Sequence, residues 1–93
     1  TGDKALVGEW YQDGEAGAVS ILVIYQTGIW DLYERPGGDG DPVMVDRGTL
    51  EGGSGGLYQA PSVVYDGVVY DMTVVSGDTL YWGGENDCYQ KLT

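Results

Sequence analysis

Histidine and phenylalanine are missing from this 93-residue chain, and it carries one cysteine and four basic side chains. Each shortage excludes something. Without histidine there is no Ser-His-Asp triad, no Cys-His dyad, no histidine-ligated metal and no imidazole pH switch. The lone Cys88 forms no intrachain disulfide and no Cys-rich zinc site, and serves equally well as an inert small hydrophobe. Lys4, Arg35, Arg47 and Lys91 are scattered along the chain. A phosphate-binding surface needs clustered Lys and Arg to release counterions, so nucleic acid is an unfavoured partner and anionic lipid equally so. No apolar run approaches the roughly 18 residues of a transmembrane helix.

What is present is acidic and rich in glycine. Fifteen carboxylates give a formal charge of -11, and there are 17 Gly, eight Tyr and three Trp. The length corresponds to one domain, whose folding buries roughly 64% of the extended chain's surface, so the core is small. Tyrosine in place of phenylalanine suits half-exposed sheet faces, because each ring keeps a polar handle. That palette, poor in Lys, is the composition expected of an extracytoplasmic bacterial β domain. A first residue of Thr1 rather than Met fits a trimmed or processed chain whose signal or anchor has been removed.

Short β-branched and apolar runs alternate with Gly, Asp and Pro, and no helical stripe at i, i+3, i+4, i+7 persists. The spacing predicts an all-β chain with strands near Leu6 to Tyr11, Ala18 to Gln26, Ile29 to Glu34, Val43 to Leu50, Leu57 to Ala60 (continuing to Tyr65 after Pro61), Val68 to Val75, Thr79 to Trp82 and Cys88 to Leu92. Gln26-Thr27-Gly28 and Tyr65-Asp66-Gly67-Val68 read as two-residue hairpins, and Ser76-Gly77-Asp78 as a third tight turn. Tight turns join neighbours, so the topology is a single-domain up-and-down antiparallel meander of about eight strands. Residues 35–42 and the glycine-rich 52–56 are the flexible connectors. Alternation turns Val68, Tyr70, Met72, Val74, Trp30, Leu32, Leu80 and Trp82 inward, and Asp31, Asp71 and Thr73 outward. The strand Ala18 to Tyr25 is apolar on both faces. Its outer face therefore needs cover from a second subunit, another domain or a loop of the same chain.

Eight short strands hide their edges most simply by closing into a barrel. Leu6-Val7-Gly8-Glu9-Trp10 resembles the Gly-x-Trp signature that opens lipocalins and the shorter bacterial lipocalin-like domains. Gly28-Ile29-Trp30 resembles the turn glycine and Trp of a later strand in those domains. Gly77-Asp78-Thr79-Leu80 with Tyr89-Gln90-Lys91 resembles their closing hairpin. The resemblance implies a small lipocalin-like barrel in which Gly8, Trp10 and Lys91 close one end, with Lys91 packed across the Trp10 ring. The chain is shorter than a full lipocalin and lacks that family's Thr-Asp-Tyr motif.

Eight strands of about six residues point roughly 24 side chains inward in a barrel about 15 Å tall. Trp10, Trp30, Trp82 and Tyr70 compete for that space, so a large lipid such as a fatty acid is hard to enclose, and two readings stand side by side: a filled core, or a small, partly open pocket that holds a planar or glycan-like molecule at the mouth against Trp30, Tyr70 and Trp82. Asp39-Gly40-Asp41 with Glu34 offers oxygens to Ca²⁺ but without a full ligand spacing, and Glu85-Asn86-Asp87 offers fewer, so no metal site is assigned. For paired-carboxylate catalysis the one candidate is Glu9, which alternation places opposite Trp10 on the outside with no partner fixed. The expectation is a non-enzymatic extracytoplasmic binding or accessory domain without cofactor. Its partner is a small-molecule ligand or a protein: a basic partner attracted by the charge, or a second copy meeting it through the strand at 18–26.

Overall fold

A computed structural model describes residues 6–15, 17–38, 40–83 and 87–91. Nine strands follow in order: β1 (Gly8–Gln12), β2 (Ser20–Ile24), β3 (Ile29–Glu34), β4 (Val43–Thr49), β5 (Glu51–Gly52), β6 (Leu57–Pro61), β7 (Val69–Ser76), β8 (Thr79–Trp82) and β9 (Asp87–Lys91). All pairings are antiparallel within one sheet of order β4-β3-β2-β1-β9-β8-β7-β6-β5. The first and last strands pair with each other, Trp10 opposite Lys91 and Gln12 opposite Tyr89, so the meander curls into a nearly closed barrel.

Eight strands were expected and nine are found, because the fourth changes partner partway along. β4 pairs with β3, and immediately past Leu50 the chain resumes as the two-residue β5, which pairs with β6. The seam between β4 and β6 is held by a single bridge, Gly48 to Ser62, and by Val63 N–H donating to the Arg47 carbonyl at 2.8 Å. Glycine is required at 48. A Cβ there would collide with the Pro61 carbonyl and with the Trp30 ring, so any side chain would push the seam apart.

The turns differ in detail from the two-residue expectation. At Tyr25–Gly28 the Gly28 N–H donates to the Tyr25 carbonyl, and Tyr25 N–H donates to the Ile29 carbonyl. Only Gly28 has positive φ, at 86°, which makes a three-residue loop ending in a left-handed glycine rather than a primed turn. The sixth strand stops at Pro61 and does not continue to Tyr65; Ser62 Oγ instead accepts the Val64 and Tyr65 amides and starts a loop. Val68, placed inward by alternation, sits in that loop and is exposed.

Inside, Trp10, Leu22, Ile24, Trp30, Ala60, Met72 and Leu80 are essentially sealed from solvent, with Leu6, Leu32, Trp82 and Tyr89 close behind. The buried polar handles are all satisfied among the described residues. Trp10 Nε1 donates to the Leu6 carbonyl and Trp30 Nε1 to that of Thr49, each at 2.8 Å, and Ser20 Oγ shares a 2.6 Å hydrogen bond with the Tyr89 hydroxyl. This matters because an unpaired buried donor costs about 1–3 kcal/mol.

Two outward-facing side groups behave differently from the alternation. Asp31 points outward but is only 1% exposed. The Arg47 guanidinium lies over it, with Nε 2.6 Å from Oδ1, and the Tyr25 hydroxyl donates to Oδ2. Arg47 holds the Asp31 carboxyl below its usual range despite burial, and the same carboxylate pushes the Tyr25 phenol up to about 12. On the outer face of β2, Ile21 is buried while Val19 and Tyr25 are exposed. An open groove of about 490 Å³ runs there, lined by Glu9, Ile21, Val23, Tyr25, Tyr33 and Pro42. Part of the cover this strand required thus comes from its own chain, through β3 and the end of the 35–42 connector.

Candidate functional site

The two ends of the barrel are built differently. At the first end, Trp10 on β1 is fully buried and stands opposite Lys91 on β9. The Lys91 ammonium lies 6.0 Å from the centroid of the Trp10 ring. Gly8, at φ 142°, passes beneath the lysine stem so closely that an added Cβ would lie 2.8 Å from Cε. Gly8, Trp10 and Lys91, singled out as the closing set, therefore meet at one end. The lysine stem, the glycine backbone and the indole pack together there.

The other end is a recess of about 330 Å³. Its walls are Gln12, Val19, Ser20, Leu32, Glu34, Tyr70, Trp82, Gly83, Asp87 and Tyr89, drawn from the ends of six strands and their connectors. The antiparallel order explains the gathering: β1, β3 and β8 finish here, and β2, β7 and β9 begin here. The aromatic part of the lining packs ring against ring. Tyr70 and Trp82 stack with centroids 5.2 Å apart at 30°, and Trp30 meets Trp82 edge-on at 4.9 Å and Tyr70 at 5.8 Å. Of the three residues proposed to hold a ligand, Tyr70 and Trp82 line the recess. Trp30 lies outside that lining, fully buried, and supports the pair from behind. Alternation revealed that Trp30 faces inward but could not reveal its depth along the axis.

A carboxylate that sequence reasoning missed fixes Tyr70. Asp46 on β4 is 1% exposed. Its Oδ2 accepts from the Tyr70 hydroxyl at 2.8 Å, and its Oδ1 accepts from Ser62 Oγ at 2.6 Å and from the Arg47 amide at 2.7 Å. One side chain thereby ties the β4–β6 seam to the wall of the recess. The signal was hidden because β4 shifts register between Leu32 and Tyr33, which turns Asp46 inward within a run that reads Val-Met-Val-Asp-Arg. Burial, together with the bond to Asp46, pushes the Tyr70 phenol up to about 12. Burial does the same for Tyr89, where the Ser20 bond opposes the rise and the charges of Asp87, Glu34 and Asp13 add to it.

The remaining candidates do not converge. Glu9 is exposed on the outer face, where the Tyr11 hydroxyl donates to it. Asp39 of the calcium candidate and Glu85 and Asn86 of the second lie outside the described residues. Among the described residues no three Cys, Asp or Glu side chains gather as metal ligands, and no helix is long and apolar enough to cross a membrane. Comparison with family models, with curated proteins and with solved structures finds no match for the chain.

Proposed function

We propose that this domain is a non-catalytic binding module that takes a small molecule at the barrel mouth. The observation that carries this reading is the recess itself: the stacked Tyr70–Trp82 pair, held from behind by Trp30 and from the side by Asp46, lines the one end left unplugged. Rigid aromatic surface beside a few polar groups is the usual make-up of a small-ligand site, and about 330 Å³ is near the lower edge of the size range such sites occupy. The ligand is therefore small, and it sits in the mouth rather than along the barrel axis, where the tryptophans are packed. The Gly8, Trp10 and Lys91 plug supports kinship with lipocalin-like domains, and the tyrosine-rich, lysine-poor composition supports an extracytoplasmic location. Native mass spectrometry of protein purified from cell extract tests the reading. An adduct is expected in the wild type and is lost in Tyr70→Ala. A bare mass, together with a fragment screen that moves no mouth resonance, rejects it.

Self-association is the second reading, supported by the groove along β2 and the exposure of Val19 (48%) and Tyr25 (39%) beside it. An apolar dimer formed there persists in sedimentation at rising salt, whereas capture of a basic partner weakens. A chain that stays monomeric at high concentration rejects the dimer.

A further inference from the structure

The mouth of the barrel has a particular electrostatic character, and it bears on what the recess can hold. Glu34 and Asp87 stand in its lining, both exposed, and Gln12 Nε2 reaches Asp87 Oδ1 at 3.5 Å. Asp13 is close enough that its charge, with those two, disfavours ionisation of Tyr89. Two of the three cations among the described residues lie elsewhere. Lys91 is at the opposite end over Trp10 and Arg47 covers Asp31 on the outer wall, while Arg35, next to Glu34, turns its Nη1 to the Ala18 carbonyl. Two exposed carboxylates therefore share the lining of the recess with Tyr70, Trp82 and Tyr89.

Those two features together select a ligand chemistry. An aromatic face attracts a cation through its quadrupole, and the attraction grows as water is excluded. Carboxylates at the rim add a counter-charge. A hard divalent ion would need six or more oxygens and would make no use of the rings. A ligand anion would meet the carboxylates. Resting on the reading of the mouth as the ligand site, we propose that its ligand is a small organic cation, an alkyl- or arylammonium seated against Tyr70 and Trp82 with Glu34 and Asp87 as counter-charges.

Three probes of similar size test this on the ¹⁵N-labelled chain by chemical-shift titration: benzyltrimethylammonium, benzyl alcohol and benzoate. The ammonium is expected to move the Trp82 indole and the Tyr70 and Gly83 amides, and to bind about ten-fold more tightly than the alcohol at low salt. Added salt should narrow that ratio. The double variant Glu34→Gln/Asp87→Asn, changed only at exposed positions, should narrow the ratio to the roughly two- to five-fold that the rings alone supply. Its thermal midpoint checks that the fold is retained. Equal binding of ammonium and alcohol to the wild type overturns the cation while leaving the mouth as a site. Ammonium-induced shifts confined to acidic surface away from the recess also overturn it. If no probe moves a mouth resonance, the ligand reading of the mouth falls as well.

Discussion

The two ends of this barrel share one set of strands yet have opposite characters. At the plugged end the connectors are short: 25–28, Leu50 alone, 53–56 and 77–78. There a glycine lets a lysine stem approach, and Trp10 is fully buried. At the open end the connectors 13–19, 35–42 and 62–68 are longer, and exposed Val43, Val63, Val64, Tyr65 and Val69 flank them. The plugged end places a cation over its ring, while the open end lines its recess with two carboxylates. The contrast teaches that a very small domain can keep tight packing at one end and an open recess at the other. One end is packed shut around Trp10, while at the other a half-buried Tyr70 and a nearly buried Trp82 line an open recess.

The sharpest way to break this division is to compare truncations at each end. Trp10→Ala removes a fully buried indole and the bond from Nε1 to the Leu6 carbonyl, and should lower stability by about 3–5 kcal/mol in denaturant unfolding. Glu34→Gln at the mouth should change stability by no more than about 0.5 kcal/mol. Should Trp10→Ala leave too little folded protein to measure, Trp10→Phe gives a smaller loss of the same sign. Comparable losses at Trp10 and Glu34 would mean that the ends are not divided between packing and access.

Much of this division could be read from the residues, and the unread parts share a cause. Strands β3 and β8 fall where alternation and the flanking glycines place them, and β1 opens on Gly8 two residues before Trp10. Local pattern sufficed there because each signal lies within one strand or one turn. The network around Asp46 was invisible because its partners, Ser62 and Tyr70, are 16 and 24 residues away and meet it only when the seam closes. Asp31 was read as a surface residue for a related reason: its cover, Arg47, arrives through the pairing of β3 with β4. The partner change at Leu50 likewise depends on β6 being adjacent. Sequence pattern assigned most faces, Val68 and Asp46 excepted, but depth and cross-strand polar contacts came from register.

The Asp46 network gives an intermediate effect and a pH signature. Asp46→Asn keeps the shape but weakens the acceptor for Ser62 and Tyr70, and should cost about 1–3 kcal/mol. In the folded wild type Tyr70 and Tyr89 stand at about 12, above the ordinary phenol value of 10.0. A raised phenol pKa means that the fold favours the neutral form. That contribution is complete below pH 10 and is lost as pH rises from 10 toward 12. In Asp46→Asn the Tyr70 transition should move down, stopping above 10.0 because burial remains its largest cause, while Tyr89 stays in place. Residue-resolved NMR titration of the tyrosine rings reads both. Equal movement of the two would mean that Asp46 acts on the whole mouth and not through its bond to Tyr70.

The smallest expected effect lies back at the plug and separates charge from packing there. Lys91→Met keeps an unbranched apolar stem against Gly8 and over the Trp10 ring but removes the ammonium, so the loss should be about 0.5–1 kcal/mol, the range for an exposed cation over an aromatic face. Lys91→Ala removes the stem as well and should lose more, because a lysine's methylenes cover apolar surface independently of its charge. Equilibrium unfolding at two salt concentrations distinguishes the contributions: salt should narrow the gap between wild type and Lys91→Met and leave that between Lys91→Met and Lys91→Ala unchanged. If Lys91→Met matches the wild type at both, the plug is held by the stem and the indole alone. The contrast between the ends then rests on shape at one and charge at the other.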